Sequence, residues 1–178
     1  MLKELIIAGF GGQGVLSMGM LLTCAGMAEG KEISWLPSYG PEMRGGTSSC
    51  CVVISDEPVG APLVTEADCV MAMNRPSLSK YESAVKPGGI LIINSSIIDK
   101  KAARTDINVY YVPCNEIAAE IGNSKVMNMV MLGAYLELSR IVDMESVLNA
   151  FPEVLGKGKE KLIPINREAL LAGARAVE

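Results

Sequence analysis

The sequence predicts a single α/β domain built on a largely parallel sheet flanked by helices, and three observations carry that expectation. Apolar runs of strand length alternate with stretches of helical periodicity along the chain. The first run passes directly into a glycine-rich loop and then a helix. A length of 178 residues suits one domain with a full core.

The opening unit is the most informative. Leu5-Ile6-Ile7-Ala8 is an uninterrupted apolar run of the kind a strand covered on both faces shows. Beyond Gly14, the residues Val15, Leu16, Met18, Leu21, Leu22 and Ala25 recur at helical spacing and form one apolar stripe. Between them lies Gly9-Phe10-Gly11-Gly12-Gln13-Gly14. In a Rossmann-like strand, loop and helix of this order, Gly9 allows a tight turn, Gly11 and Gly12 leave no Cβ between backbone and ligand, and Gly14 lets the helix start close to the strand. The N–H groups of the first helical turn and the helix dipole then face an anion. A tight strand-to-helix connection asks for the same glycines, so both readings stand at this point.

A second strand is expected over 32–37, after a boundary at Gly26 to Gly30, with Ile33, Trp35 and Pro37 on one side. A dinucleotide-binding unit would end this strand with an acid on the ribose hydroxyls. Here it runs into Pro37-Ser38-Tyr39, and Glu29 lies before the strand, so nicotinamide and flavin dinucleotides lose their support. The stretch from Ser38 to Ser48 leaves the carboxyl end of that strand, the edge where open parallel sheets bind ligands. Arg44 offers a planar fork for phosphate or carboxylate, Tyr39 an aromatic face with a hydroxyl, and Thr47 and Ser48 further donors. The alternative is a solvated loop in which Arg44 pairs with Glu42 or another surface carboxylate.

Further strands are expected over 49–55, 67–73, 90–93 and 109–112. Helices are expected over 77–85, stopped by Lys86-Pro87-Gly88-Gly89, then over 114–121, 126–139 and 144–151, and finally over 167–177 with Asn166 as cap. The segment 126–139 is apolar on nearly every face, which suits a core helix or one facing another subunit.

Composition excludes several classes. The chain is 49% apolar with a mean hydropathy of +0.30, yet no apolar stretch approaches the roughly 18 residues of a membrane span. No signal peptide is expected either. The apolar excess implies burial against other chains, hence a subunit. A net charge of −4 and no basic run exclude nucleic acid as a partner. Cys24, Cys50, Cys51, Cys69 and Cys114 are scattered, which argues against a zinc site, a disulfide framework or a cluster held by this chain alone, and fits a reducing cytoplasm. Cys50 and Cys51, adjacent on a strand, should point to opposite faces. There is no histidine, so the commonest general base and metal ligand are missing. No catalytic residue and no metal are expected in this chain.

Gly9-Phe10-Gly11-Gly12-Gln13-Gly14-Val15, followed by Ser38-Tyr39-Gly40-Pro41-Glu42-Met43-Arg44-Gly45-Gly46-Thr47, resembles the gamma subunits of the 2-oxoacid:ferredoxin oxidoreductases. The similarity extends through Pro87-Gly88-Gly89 and Asn128-Met129-Val130-Met131-Leu132-Gly133. The second loop is closer to the 2-oxoglutarate and ketoisovalerate types than to the pyruvate or indolepyruvate types. The resemblance implies a complex that decarboxylates a 2-oxoacid, 2-oxoglutarate in the favoured reading, and passes the acyl group to coenzyme A and electrons to ferredoxin. Thiamine diphosphate and the iron–sulfur clusters are then held by partner subunits. The implied partners are alpha and beta subunits, with a delta subunit as a further candidate, ferredoxin reached only indirectly, and a homodimer as the isolated form. Carried onto this sequence, the resemblance places Gly9, Gly11, Gly12, Gln13, Gly14 and Arg44 against coenzyme A. It adds Ser38, Tyr39 and Thr47 as supporting contacts and Glu42 as the partner that positions Arg44.

Overall fold

A computed structural model describes residues 1–40, 46–156 and 158–178. Six strands form one sheet: β1 (Leu2–Phe10), β2 (Glu32–Tyr39), β3 (Thr47–Ser55), β4 (Ala67–Ala72), β5 (Val85–Asn94) and β6 (Asn108–Val112). Their order is β2-β3-β1-β4-β5-β6. β1, β4, β5 and β6 pair in parallel, while β3 runs antiparallel to both β1 and β2. Five of the six strands therefore point the same way, and the mostly parallel sheet is as the sequence predicts.

Alternation divides each strand between two faces. Leu5, Ile7, Cys50, Val52, Cys69, Met71 and Ile92 face one layer, and Ile6, Ala8, Val53, Val70, Ala72, Leu91 and Ile93 the other. The first face carries α1 (Val15–Ala28), α3 (Cys114–Glu120), α4 (Met127–Ser139), α5 (Met144–Asn149), α6 (Phe151–Leu155) and α7 (Ile163–Arg175). The second carries α2 (Arg75–Tyr81), with Val59, Val64, Ile98 and Ile107 from connecting segments filling in around Leu78. Cys50 and Cys51 lie on opposite faces, and every cysteine is a free thiol.

Several boundaries differ from the sequence expectation, each for a local reason. Gly26 lies inside α1, where a Cβ would meet Ile33 Cδ1 at 2.5 Å; its role is close packing of helix on strand. β5 starts at Val85, and Lys86-Pro87-Gly88-Gly89 forms an irregularity within it, pinned by Gly88 N–H on Asp106 O (2.8 Å) and Asn108 Nδ2 on Gly88 O (2.8 Å). Asn74 rather than Ser77 opens α2: its Oδ1 accepts the Ser77 N–H at 2.9 Å, with Pro76 in the first turn. α7 starts four residues before Arg167, and Asn166 sits within it donating to Leu162 O (2.7 Å). The helix expected over 144–151 ends at Asn149, and Pro152 lies in the first turn of a further short helix, α6.

The apolar segment expected over 126–139 is a core helix. Met129 to Leu136 are all buried in α4, whose cover is α7. Gly133 faces the Leu170 backbone and Gly173 the Val130 backbone, so the two helices cross with no room for a side chain. Gly173→Ala therefore drives a methyl into a main-chain carbonyl and should destabilise the protein by about 3 kcal/mol. Urea unfolding checks this, and a loss below about 0.5 kcal/mol would show that the crossing can relax.

Candidate functional site

Two neighbouring parallel strands send their helices to opposite faces. β1 leads into α1 and β4 into α2, so the carboxyl ends of this pair open into a crevice. Such a switch point is where open α/β sheets place ligands. β3 and β2 extend the crevice wall: Phe10 lies opposite Thr47, Gly9 opposite Ser48, and Ser48 opposite Tyr39.

The loop after β1 is braced from within. Gln13 Oε1 accepts the Phe10 N–H (2.7 Å), and Gln13 Nε2 donates to the Met73 carbonyl at the end of β4 (3.2 Å). Met73 N–H in turn donates to Ala8 O (2.8 Å). Gly11 N–H donates to Gly46 O (2.9 Å) and Gln13 N–H to Phe10 O (3.2 Å). Of the loop residues expected to meet the ligand, Gly11 and Gln13 thus have their N–H groups spent on the fold.

The glycines divide in the same way. A Cβ on Gly9 would meet Gln13 Oε1 at 2.6 Å, and one on Gly11 the Tyr39 hydroxyl at 2.8 Å, so these two admit neighbouring side chains and not a ligand. Gly14, at φ 73°, is the N-cap of α1 and has the Asn128 amide packed against it. Gly12, at φ 93°, has open space where its Cβ would be. Both need the left-handed region that L side chains rarely adopt. Gly12 alone keeps the open backbone expected of the whole loop.

Donors remain at the start of α1. The first intrahelical bond runs from Met18 N–H to Gly14 O, and no side chain caps the turn among the described residues. The N–H groups of Val15, Leu16 and Ser17 therefore face a cavity of about 320 Å3, walled by Gly12, Gly14, Tyr39 and Ser48. With the helix dipole behind them, they favour an anion. Ser17 also borders a second cavity of about 390 Å3, lined by Asn123, Asn128, Asn166, Met129, Phe151 and Leu162. A third, of about 80 Å3, opens on the other face of the sheet, with Ser38, Thr47, Ser49, Ser77, Lys80 and Tyr81 around it.

The expected site residues are thus split by the pleat. Tyr39 joins the α1 side, whereas Ser38 and Thr47 point to the α2 side. Glu42 and Arg44 lie outside the described residues. Ser17, Ser77, Lys80 and Tyr81 carry no motif and reach the crevice only through the fold, and Asn128, which belongs to a stretch of family similarity, was not expected at the site; Ser48, noted above only as a further donor, separates the two sides.

Chemistry by the chain's own nucleophiles has little support. Burial pushes the Cys50 thiol up to about 12 and raises those of Cys69 and Cys114 as well. Among the described residues no group of Cys, Asp or Glu stands ready for a metal ion. No helix among them is long and apolar enough to cross a membrane. The arrangement can bind and orient an anionic ligand.

Comparison with known proteins agrees with this architecture. A family model described as pyruvate ferredoxin/flavodoxin oxidoreductase matches residues 4–176, and the chain belongs to that family. It is 46% identical over 169 residues to the ketoisovalerate oxidoreductase subunit VorA of Methanothermobacter marburgensis, covering 94% of this chain and 35% of the relative. It is 38% identical over 164 residues to the 2-oxoglutarate synthase subunit KorC of Methanocaldococcus jannaschii, covering 90% and 88%. The chain thus spans about a third of the VorA relatives and most of KorC. The gamma subunit of a keto/oxoacid ferredoxin oxidoreductase from Geobacter sulfurreducens superposes with a TM-score of 0.82 at 28% identity, covering 98% of each chain. A 2-oxoglutarate:ferredoxin oxidoreductase from Magnetococcus marinus, solved with 2-oxoglutarate, coenzyme A and succinyl-CoA bound, shares the fold at a TM-score of 0.89 and 23% identity, covering 99% of this chain and 31% of that one. The resemblance carried by the two loops is borne out.

The brace makes its own prediction. Gln13→Ala leaves the Phe10 N–H and the Met73 carbonyl without partners and should cost about 1–3 kcal/mol. Urea melts with an unchanged m-value would show it, and a variant as stable as the parent would mean that the amide is idle.

Proposed function

We propose that this chain is the gamma subunit of a 2-oxoacid:ferredoxin oxidoreductase and that its switch-point crevice binds coenzyme A. The single observation that carries the proposal is the cavity at the start of α1, where uncapped N–H groups, the open face of Gly12, Tyr39 and Ser48 converge. A diphosphate suits those donors. Family membership and the coenzyme A bound in the Magnetococcus enzyme of the same fold supply the ligand class.

Thiamine diphosphate and the iron–sulfur clusters belong, in this reading, to partner alpha and beta subunits, and the 2-oxoacid is chosen there. In this reading the substrate lies in the 2-oxoglutarate and ketoisovalerate group; the relatives are named for ketoisovalerate, for 2-oxoglutarate and for pyruvate with ketoisovalerate. Reducing ferredoxin in the purified complex with each 2-oxoacid in turn decides between them. Arg44 adds a guanidinium toward the coenzyme A phosphates, oriented by Glu42.

Two substitutions test the reading. Ser17→Asp puts a carboxylate at the third position of α1, where it complements the dipole and should stabilise the helix by about 0.3–1 kcal/mol. The same carboxylate faces the diphosphate, so the affinity of the complex for coenzyme A should fall by about tenfold or more, near 1.4 kcal/mol. Calorimetric titration of the complex reads the second effect and thermal melting the first; unchanged coenzyme A affinity in an intact complex would leave the chain an assembly subunit. Arg44→Ala should raise the KM for coenzyme A more than that for the 2-oxoacid, and equal effects on both would point to assembly.

A further inference from the structure

Coenzyme A is an adenosine and a pantetheine arm joined through a diphosphate, so a diphosphate held at the start of α1 has a group to be seated on either side of it. With thiamine diphosphate on a partner subunit, the thiol must reach across to that partner, and the pantetheine arm leaves this chain. The adenosine end stays behind, next to the first turn of α1.

The larger cavity, of about 390 Å3, adjoins the crevice at that turn. Ser17 borders both, and Asn128 packs on Gly14 between them. Small-molecule sites run from roughly 300 to 1,000 Å3 and combine apolar walls with a few convergent polar groups. This cavity has both features. Leu21 of α1, Val126 and Met129 at the start of α4 and Phe151 of α6 form an apolar floor, each 4% exposed or less, and the half-buried Leu155 and Leu162 form the rim. The floor belongs to the main core and is fixed before any ligand arrives.

The polar lining consists largely of amides, and the fold has already oriented them. Asn166, only 7% exposed, donates through Nδ2 to Leu162 O (2.7 Å), so the group it offers the cavity is the acceptor Oδ1. Asn123 and Asn128 are turned the other way: their Oδ1 atoms accept the N–H groups of Lys125 and Met129, both at 3.0 Å, and what they offer is Nδ2 donors. An acceptor with donors nearby, over an apolar floor, complements adenine, whose 6-amino group donates and whose ring nitrogens accept. It opposes hypoxanthine, in which a 6-oxo group accepts and N1–H donates.

We infer that the cavity between α1, α4, α6 and α7 receives the adenine ring of coenzyme A, with Asn166 Oδ1 accepting from the 6-amino group and Asn123 and Asn128 donating to ring nitrogens. This inference rests on the coenzyme A reading above. The chain thereby selects the base, while the first turn of α1 holds the diphosphate.

The experiment titrates the purified complex with coenzyme A, with its hypoxanthine analogue and with 4′-phosphopantetheine, which lacks the adenosine, using wild type, Asn166→Ala, Leu162→Trp and Ser17→Asp. The wild type should bind coenzyme A about tenfold or more tightly than the hypoxanthine analogue. Asn166→Ala should reduce that ratio to below about threefold by weakening coenzyme A alone. Leu162 is half-buried at the rim, so a tryptophan there fills the cavity and leaves the core intact. That variant should weaken coenzyme A about tenfold or more and leave 4′-phosphopantetheine unchanged. A wild-type ratio near one, or a Leu162→Trp variant that affects both ligands alike or neither, overturns the adenine assignment. A Leu162→Trp chain that no longer assembles with its partners overturns it too, by giving the cavity to a partner subunit. Where any of these occurs while Ser17→Asp weakens coenzyme A and 4′-phosphopantetheine alike, the coenzyme A reading survives. If Ser17→Asp changes neither affinity, the reading and the assignment fall together.

Discussion

The structure depends on the parallel pairing of β1 with β4 and on the way their helices part. Ile6 and Ile7 lie beside Val70 and Met71 in the middle of the sheet, and every layer is built outward from that pair. Because α1 and α2 leave toward opposite faces, the sheet edge between them stays uncovered. Gln13 holds the two strand ends together by linking Phe10 N–H to the Met73 carbonyl. The amide takes up those backbone groups nearest the strand ends and leaves the first turn of α1 facing outward.

The unequal layers follow from the same geometry. One face of the sheet bears α2 and connecting segments, and the other bears α1 with the helices that follow residue 114. Those later helices do more than cover the sheet. α4 and α7 cross at Gly133 and Gly173 with backbone against backbone, which fixes the start of α4 and the Asn128 amide packed on Gly14. The glycine loop is therefore held by β4 through Gln13, by the start of β3 through Gly46 and by α4 through Asn128. Preorganisation of this kind spares the ligand the cost of ordering its own site.

Much of this was legible in the chain. The apolar run Leu5 to Ala8, the glycine loop and the stripe from Val15 to Ala25 give β1, the turn and α1, because each has its own period. No acid ends the second strand, so the ribose contact of a dinucleotide site is missing from the sequence itself. Tertiary relations were beyond local pattern. Nothing in the sequence around Gly11 says that the Tyr39 hydroxyl will sit above it, or that Gly26 faces Ile33 inside a helix. Alternation along β2 separates Ser38 from Tyr39, while the order of strands, with β3 inserted antiparallel between β1 and β2, sets Thr47 beside β1 and brings Ser77 and Lys80 to the crevice. Pairing partners distant in sequence leave no periodic trace.

The most direct test of the central claim is amide hydrogen exchange in the purified complex with and without saturating coenzyme A. The account predicts slowed exchange at Gly12 and at Val15, Leu16 and Ser17, whose N–H groups would bond to the ligand, with Gly11 and Gln13 changed little because theirs are already spent. Unaltered exchange across residues 12–17 under conditions where coenzyme A turns over would contradict it.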